Sequence, residues 1–364
     1  MGNLAFNAIN QFSKSELESM VNSIVNQSLR SPTHDNSQGF VFTVSGNSLK
    51  IDLDRQVPLH VFDPGGLTSQ LGFGFLFEYL NQVATREQRE FVITSSLSLG
   101  LFPVELELRQ QSPSYESRKI FSQKTLDQRR CFRDRFDQSI LSESQRKTVI
   151  VDMGKVNART IFQGSPEFDQ IVSAILESDR LLWMQRVAVE DTFRWIRWTK
   201  TEYHRKKDGF YFRELGAKIW DLPLLKLLTL FPSLSPLLYP LIRPITHHKL
   251  KAAVCSSAGF FVVEAKDFSP ESRLILGQHG ARAWLQATEL GYACQPFSLQ
   301  SWLACLMTGL KIPSGFSSDY QKLTEQVGTI LNIHDRPFWL FRFGLLPKTA
   351  HPPSLRKPAK ITFE

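Results

Sequence analysis

Apolar residues recur along this chain in two rhythms, one near 3.6 and one of 2, and their interleaving predicts a mixed α+β protein. Lys14 to Leu29 carries a helical face, and Gly39 to Val44 and Ser48 to Leu53 alternate as the arms of a hairpin about Ser45-Gly46-Asn47. Asp63-Pro64-Gly65-Gly66 punctuates the chain ahead of a long helix from Thr68 to Ala84, and Glu90 to Leu108 alternates well enough for one or two strands. Ser165 as N-cap and Pro166 at the first helical position open another helix. Its apolar positions, Phe168, Ile171, Val172, Ile175 and Leu182, continue beyond Val187 towards Trp198. Ala252 to Glu264 reads as β-rich, Glu271 to Leu290 as a helix that Gly291 ends, Ser298 to Thr308 as a further helix, and Pro337 to Phe343 as a late strand.

One stretch breaks both rhythms. The 16 residues from Leu227 to Ile242 are uncharged and mostly apolar, with Lys226 and Arg243 at their ends. A membrane-spanning helix needs roughly 20 such residues, and Pro232, Pro236 and Pro240 interrupt this run. It reads as a buried cap or lid, with interfacial membrane attachment as the alternative. The aromatic row Trp183, Phe193, Trp195 and Trp198 fits core or subunit packing better than a cofactor contact.

A length of 364 residues suits one large or two moderate domains with an ample core. Lys and Arg outnumber Asp and Glu by 43 to 35, and the resulting charge of +8 attracts anionic ligands. No zinc-finger or aromatic-glycine RNA-binding signature accompanies that charge, so nucleic acid is disfavoured. Cys131, Cys255, Cys294 and Cys305 lie far apart without a CxxC pair, and the histidines show no metal-ligand spacing. A reducing compartment and no metal site are expected. Met1 to Phe6 lacks the build of a signal peptide and of a myristoylation site, which suits a cytoplasmic location without a membrane partner.

Pro32-Thr33-His34-Asp35-Asn36-Ser37-Gln38-Gly39-Phe40 joins the first helix to the first strand. Backbone donors, a carboxamide pair and an imidazole are gathered there at the mouth between two packed elements, where a flat polar heterocycle can be gripped by its edge. An ordinary polar loop is the alternative. The stretch resembles the P-S-x-x-N-S-Q-P-W loop of the nitroreductase superfamily of FMN enzymes, with Asn36, Ser37 and Gln38 matching and Gly39 and Phe40 replacing its Pro and Trp. Gly74 to Leu80 resembles that family's G-a-a-L-E-n-L helix, although a plain core helix has the same spacing. Lys124 to Phe132 resembles the R-x-S-x-R-x-F segment that holds the FMN phosphate, with Lys124, Arg129 and Arg130 as candidates. Leu290 to Leu299 resembles the L-G-x-x-x-x-P-I-x-G turn, whose backbone N–H groups face flavin N5 and O4; Ser298 and Leu299 take those places. Pro353 to Pro358 is similar to the terminal L-P-K-S-R-x-P, where Arg356 matches the phosphate-clamping arginine and Ser354 replaces a lysine.

The resemblance implies a nitroreductase-like α+β fold. In that family the site lies between two identical subunits, yet this chain carries one copy of each piece. Two related halves, 1–113 and 114–364, are therefore expected to form an internal pseudo-dimer, as in the fused Acg-like branch, with 201–246 as a helical cap. A single chain would complete the pocket, so a monomer suffices. The implied activity is hydride transfer from NAD(P)H through FMN to a nitroaromatic, quinone or other conjugated acceptor, without a catalytic side chain. The implied cofactor contacts are His34, Asn36, Gln38, Lys124, Arg129, Arg130, Ser298, Leu299 and Arg356. A non-catalytic protein that sequesters FMN beneath a lid, or an interaction protein that has lost flavin, are the alternatives.

Overall fold

The clean alternation of the N-terminal hairpin becomes one buried face. The computed structural model describes residues 12–58, 60, 63, 67–97, 102–113, 119–137, 140–297, 318–333 and 336–364; the expected helix from Ser298 to Thr308 lies outside them. In the hairpin of β1 (Phe40–Ser45) and β2 (Ser48–Leu53), Ser45 pairs with Ser48, leaving a two-residue turn whose Gly46 takes a φ of 58°. Phe42, Val44, Leu49 and Ile51 are buried on one side, and β4 (Val104–Gln110) adds Val104, Leu106 and Leu108 beside them. β3 (Arg89–Ile93) closes one edge. The other edge is taken by the last strand of the chain, β11 (Lys360–Phe363), which pairs parallel with β1. Helix α1 (Lys14–Ser28) starts in a Ser13/Glu16 capping box and packs Val21, Ile24 and Val25 into the same core.

A second, antiparallel sheet has the order β5-β8-β10-β9, from β5 (Ala158–Phe162), β8 (Gly259–Glu264), β9 (Tyr292–Phe297) and β10 (Phe338–Leu345). Alternate residues of its central strands serve two cores: Phe261, Val263, Phe341 and Phe343 enter one, and Phe260, Val262 and Leu340 the other. The β-rich run expected from Ala252 begins only at Gly259, because residues through Cys255 complete a helix and Ser257 turns back onto the Val254 carbonyl.

Between the two sheets pass α2 (Leu67–Ala84) and a helix spanning Pro270–Glu289. Phe73, Phe75, Leu76, Tyr79, Leu80 and Val83 of α2 are all buried, as suits a helix covered on every side. At the crossing the two backbones touch. A Cβ on Gly74 would lie 2.4 Å from the Leu274 carbonyl oxygen, and one on Gly277 would lie 2.4 Å from that of Leu71. Polar pairs flank the contact: Arg273 donates to Gln70 at 2.9 Å, and Arg282 pairs at 2.8 Å with the fully buried Glu78. That carboxylate also accepts from Gln82, so its charge is met from two sides.

A third layer, residues 186–255, joins β6 (Ile196–Arg197) parallel to β7 (Phe210–Tyr211) and has a small core of its own built on Val189, Phe193, Phe212, Leu228, Tyr239 and Ile242. The helix opened by Ser165 and Pro166 stops at Trp183, short of the predicted continuation. Gln185 is extended (φ −110°, ψ 106°), and Ser235 caps the Trp183 carbonyl from the far end of the layer. The prolines also act differently from expectation. The chain breaks at Phe231, and the helix Ser235–Cys255 runs through Pro240 and Pro244, which sit on its exposed side where the freed carbonyls can be hydrated. The apolar run is buried on one side only: Leu228, Tyr239 and Ile242 enter this core, whereas Leu230, Leu237 and Leu241 are each 74% exposed.

The glycine crossing generates a stability test. Gly74→Ala and Gly277→Ala each place a methyl against backbone that cannot swing away, at a cost of about 1–3 kcal/mol, only partly offset by a gain in helix propensity of about 1 kcal/mol. Both variants should unfold at lower urea concentration than the parent; unchanged midpoints would mean that the helices separate freely.

Candidate functional site

Beside this crossing lies a cavity of about 230 Å³. Leu71, Gly72 and Phe75 of α2 form one wall, and Trp284, Pro296 and Trp339, from the second helix and second sheet, form another. Three stretches remote in sequence complete it: Arg30 to Asn36, Arg129 to Arg133 and Pro353 to Arg356. The middle stretch is held in place because it runs along the second sheet, with Phe132 N–H bonded to the Cys294 carbonyl at 2.9 Å and Asp137 N–H to that of Leu345 at 2.8 Å.

The loop after α1 is bent through left-handed backbone at three non-glycine residues, Asp35 (φ 45°), Asn36 (φ 56°) and Gln38 (φ 55°). Side-chain bonds hold this shape. Asn36 Nδ2 donates to the carbonyls of Gly209 at 3.0 Å and Leu355 at 3.2 Å, while its Oδ1 accepts from Arg356. Gln38 Nε2 donates to the Lys207 carbonyl at 2.8 Å, and Gln38 Oε1 accepts from Lys357 N–H at 2.7 Å. The two carboxamides thus fasten the C-terminal tail and the 207–209 segment to the loop.

Among the residues read from sequence, His34, Asn36, Arg129, Arg130 and Arg356 line this cavity. Gln38 is turned towards the tail and lies outside the lining, and Lys124 is exposed on the short helix Gln123–Gln128. Ser298 and Leu299 lie outside the described residues.

Positive charge prevails in the lining, where Asp35 is the one carboxylate among the described residues. Arg30, Arg129, Arg130, Arg133 and Arg356 all line the cavity, and none of them forms an ion pair with a carboxylate among the described residues. Neutral groups support them instead. Arg129 donates to the Arg30 carbonyl at 2.6 Å and its guanidinium lies 4.5 Å from the Trp284 ring centre; Arg356 donates to the Leu29 carbonyl at 3.1 Å. Burial, with the neighbouring charges of Arg129 and Arg30, pushes the Arg356 guanidinium down to about 9, so it still carries its proton at neutral pH. Among the described residues, five buried nitrogens of the lining also find no partner: Arg129 Nε, Arg130 Nε, His34 Nδ1, Trp284 Nε1 and Trp339 Nε1. This is a surplus of donors and positive charge between aromatic walls, which an anion with several acceptor oxygens would balance.

Spacing along the chain gave no sign of a second feature. His60 packs edge-on against His34, with ring centres 3.9 Å apart, and its Nδ1 lies 3.2 Å from Asp191 Oδ2 and 3.6 Å from Asp35 Oδ2. Burial alone would lower the His60 imidazolium, but the hydrogen bond to Asp191 and the charges of Asp35, Asp191 and Asp63 prevail and hold it above its usual value. Burial pushes His34 the other way, against the pull of Asp35. His34, Asp35 and His60 place potential ligand atoms within 4.8 Å of one another, a cluster created by folding alone.

No family model matches this chain, and no curated protein does. Among solved structures, it is similar to the FMN-dependent nitroreductase NfnB from Mycobacterium smegmatis in complex with NADPH, at 12% identity and a TM-score of 0.34, over 62% of this chain and 88% of that one. A mutant of the FMN and NADPH-dependent nitroreductase NfnB derived from sphigopyxis sp. strain HMH is similar at 12% identity and a TM-score of 0.34, over 64% of this chain and 93% of that one.

The histidine pair sets a pH dependence. Because the folded protein raises the His60 pKa, this group's stabilising contribution is complete below its unfolded value of about 6.5 and is lost as pH rises through the higher folded value. His60→Gln should therefore be less stable than the parent at pH 5.5, and the gap should narrow towards pH 9. A gap that is constant across this range in chemical unfolding would contradict the pairing.

Proposed function

We propose that this protein binds one FMN in the arginine-lined cavity and passes hydride equivalents from NAD(P)H to a conjugated acceptor. The observation that carries this reading is the convergence of the 32–36 loop, Arg129 and Arg130, Pro296 and Arg356 on one donor-rich space. Each belongs to a separate motif whose resemblance to the nitroreductase superfamily was drawn from sequence. The donor set fits the cofactor: guanidinium groups suit a phosphate bidentately, and Phe75, Trp284 and Trp339 offer apolar walls to a planar ring.

Bound FMN would supply the hydride chemistry, accepting it from one substrate and delivering it to another. The chain's own part is to hold and to shape. Arg129, Arg130 and Arg356 neutralise the phosphate; Asn36 and Gln38 hold the loop and tail that carry His34 and Arg356 to the cavity. Burial disfavours the charged form of His34 at the lining, while behind it Asp191 and Asp35 favour the protonated form of His60. The arrangement also supports reading the chain as two related halves in an internal pseudo-dimer, with boundaries near residue 113. Each sheet packs on its own central helix, and the terminal strand β11 crosses from the second half to the edge of the first sheet. The 186–255 layer takes the place of the cap. A larger cavity beneath it shares His34, Asp35, Arg133 and Phe210 with the first, which favours turnover over storage because a second molecule has room beside the cofactor.

Purified protein should be yellow and hold about one FMN per monomer. Arg130→Ala and Arg356→Ala should each weaken FMN binding by about 1.5–3 kcal/mol in fluorescence titration. Colourless protein that also fails to take up added FMN would overturn the assignment.

A further inference from the structure

The helical layer has two apolar faces. Its outer face carries Leu237, Leu241 and Ile245, four residues apart along one side of the helix, at 74%, 74% and 54% exposure. Trp220, Leu230 and Phe231, on the preceding helical segment and at the break after it, are also exposed, at 76%, 74% and 52%. Isolated exposed leucines are ordinary; a group of this kind on consecutive helices marks a contact surface. The surrounding charge is mainly positive, with Asp221, next to Trp220, paired to Lys249 at 2.6 Å. From Leu222 to Val263 there is no Asp or Glu, whereas Lys226, Arg243, Lys249 and Lys251 are all present. No single helix among the described residues is long and apolar enough to cross a membrane, and the pair Ile219–Leu230 and Pro232–Cys255 is bent by 107°. That bend suits a pair lying along a surface, with tryptophan and leucine in the acyl boundary and cations among anionic headgroups.

The inner face covers an open cavity of about 1,170 Å³, five times the volume of the arginine-lined cavity that adjoins it. Phe193, Phe212, Leu225, Leu228 and Ile242 are among its predominantly apolar lining. Asp179 also lines it, and burial pushes that carboxyl up to about 7, against a hydrogen bond from Trp183, as in a poorly hydrated space. Charged groups of both signs are also present in the lining: Arg133, Lys218 and Lys249, the last paired with Asp221, beside Asp35 and Asp134. A hydrocarbon chain with an anionic or polar end matches this distribution, and the outer face indicates where such a molecule is met.

We propose that the 186–255 layer is a lipid-access element: its outer face docks on an anionic bilayer, and the cavity beneath takes the hydrocarbon chain of an amphiphile from it. The inference stands on the layer alone and holds whether or not flavin is bound.

Full-length protein is tested with two probes, sedimentation with vesicles of phosphatidylglycerol and phosphatidylcholine, and titration with a fluorescently labelled stearate. Vesicles containing phosphatidylglycerol should bind the protein, more weakly at high salt, and pure phosphatidylcholine vesicles should bind it poorly. The Leu237→Glu/Leu241→Glu variant, altered only at exposed positions, should lose vesicle binding by about tenfold or more while taking up stearate like the parent. Leu225→Trp, which fills the cavity, should lower stearate affinity by about tenfold and leave vesicle binding intact, with Ala217→Trp as a second filling variant. Absent stearate uptake, uptake unchanged by both tryptophans, or vesicle binding indifferent to the glutamates overturns the proposal. FMN content measured on the same samples keeps these outcomes separate from the fate of the flavin assignment.

Discussion

The rest of the molecule depends on the contact of bare backbone between Gly74 and Gly277. With no Cβ on either residue, the two central helices approach until each carbonyl lies where the other's side chain would begin. Their separation fixes the distance between the two sheets, and the walls of the arginine-lined cavity are carried on them: Leu71, Gly72 and Phe75 on one, Trp284 on the other. The buried Glu78–Arg282 pair then sets their relative rotation, since sliding either helix would strand a charge without its partner. Thus, a packing constraint with no chemistry of its own determines where the chemistry can occur.

A cluster of arginines could not be built cheaply on such a frame. Arg129 and Arg356 are held close together by backbone carbonyls, a tryptophan ring and Asn36, all of which orient a guanidinium without cancelling its charge. The lowered Arg356 pKa expresses its burial first and then the repulsion from Arg129 and Arg30. Local instability of this kind is characteristic of sites where a ligand supplies the missing countercharge. The tail that bears Arg356 is anchored by β11 and by Gln38, so the cost is borne by elements integral to the first sheet.

Much of this frame was legible in the sequence. The hairpin, the helix ended by Gly291 and the late strand from Pro337 follow from local signals, and each forms where those signals place it. The extension of a helix beyond Val187 failed for a non-local reason, because the carbonyl end at Trp183 is capped by Ser235, more than one element away. Gln38 and Lys124 were assigned to the pocket by motif spacing alone; folding turns the first towards the tail and leaves the second on an exposed helix face, while Arg129 and Arg130 line the cavity. His60 gave no signal at all. Its partners, Asp191 and Asp35, come from a distant helix and a strained loop, and no spacing rule anticipates that meeting.

The central claim is that these unpaired arginines form a site for the cofactor's phosphate. It is tested most directly by titrating the flavin-free protein with FMN and with riboflavin, which differ only in that group. The account predicts that FMN binds more tightly by roughly 10- to 100-fold, as expected for charge-assisted hydrogen bonds, with the difference shrinking as salt is added. Equal affinities for the two flavins at low salt would contradict it.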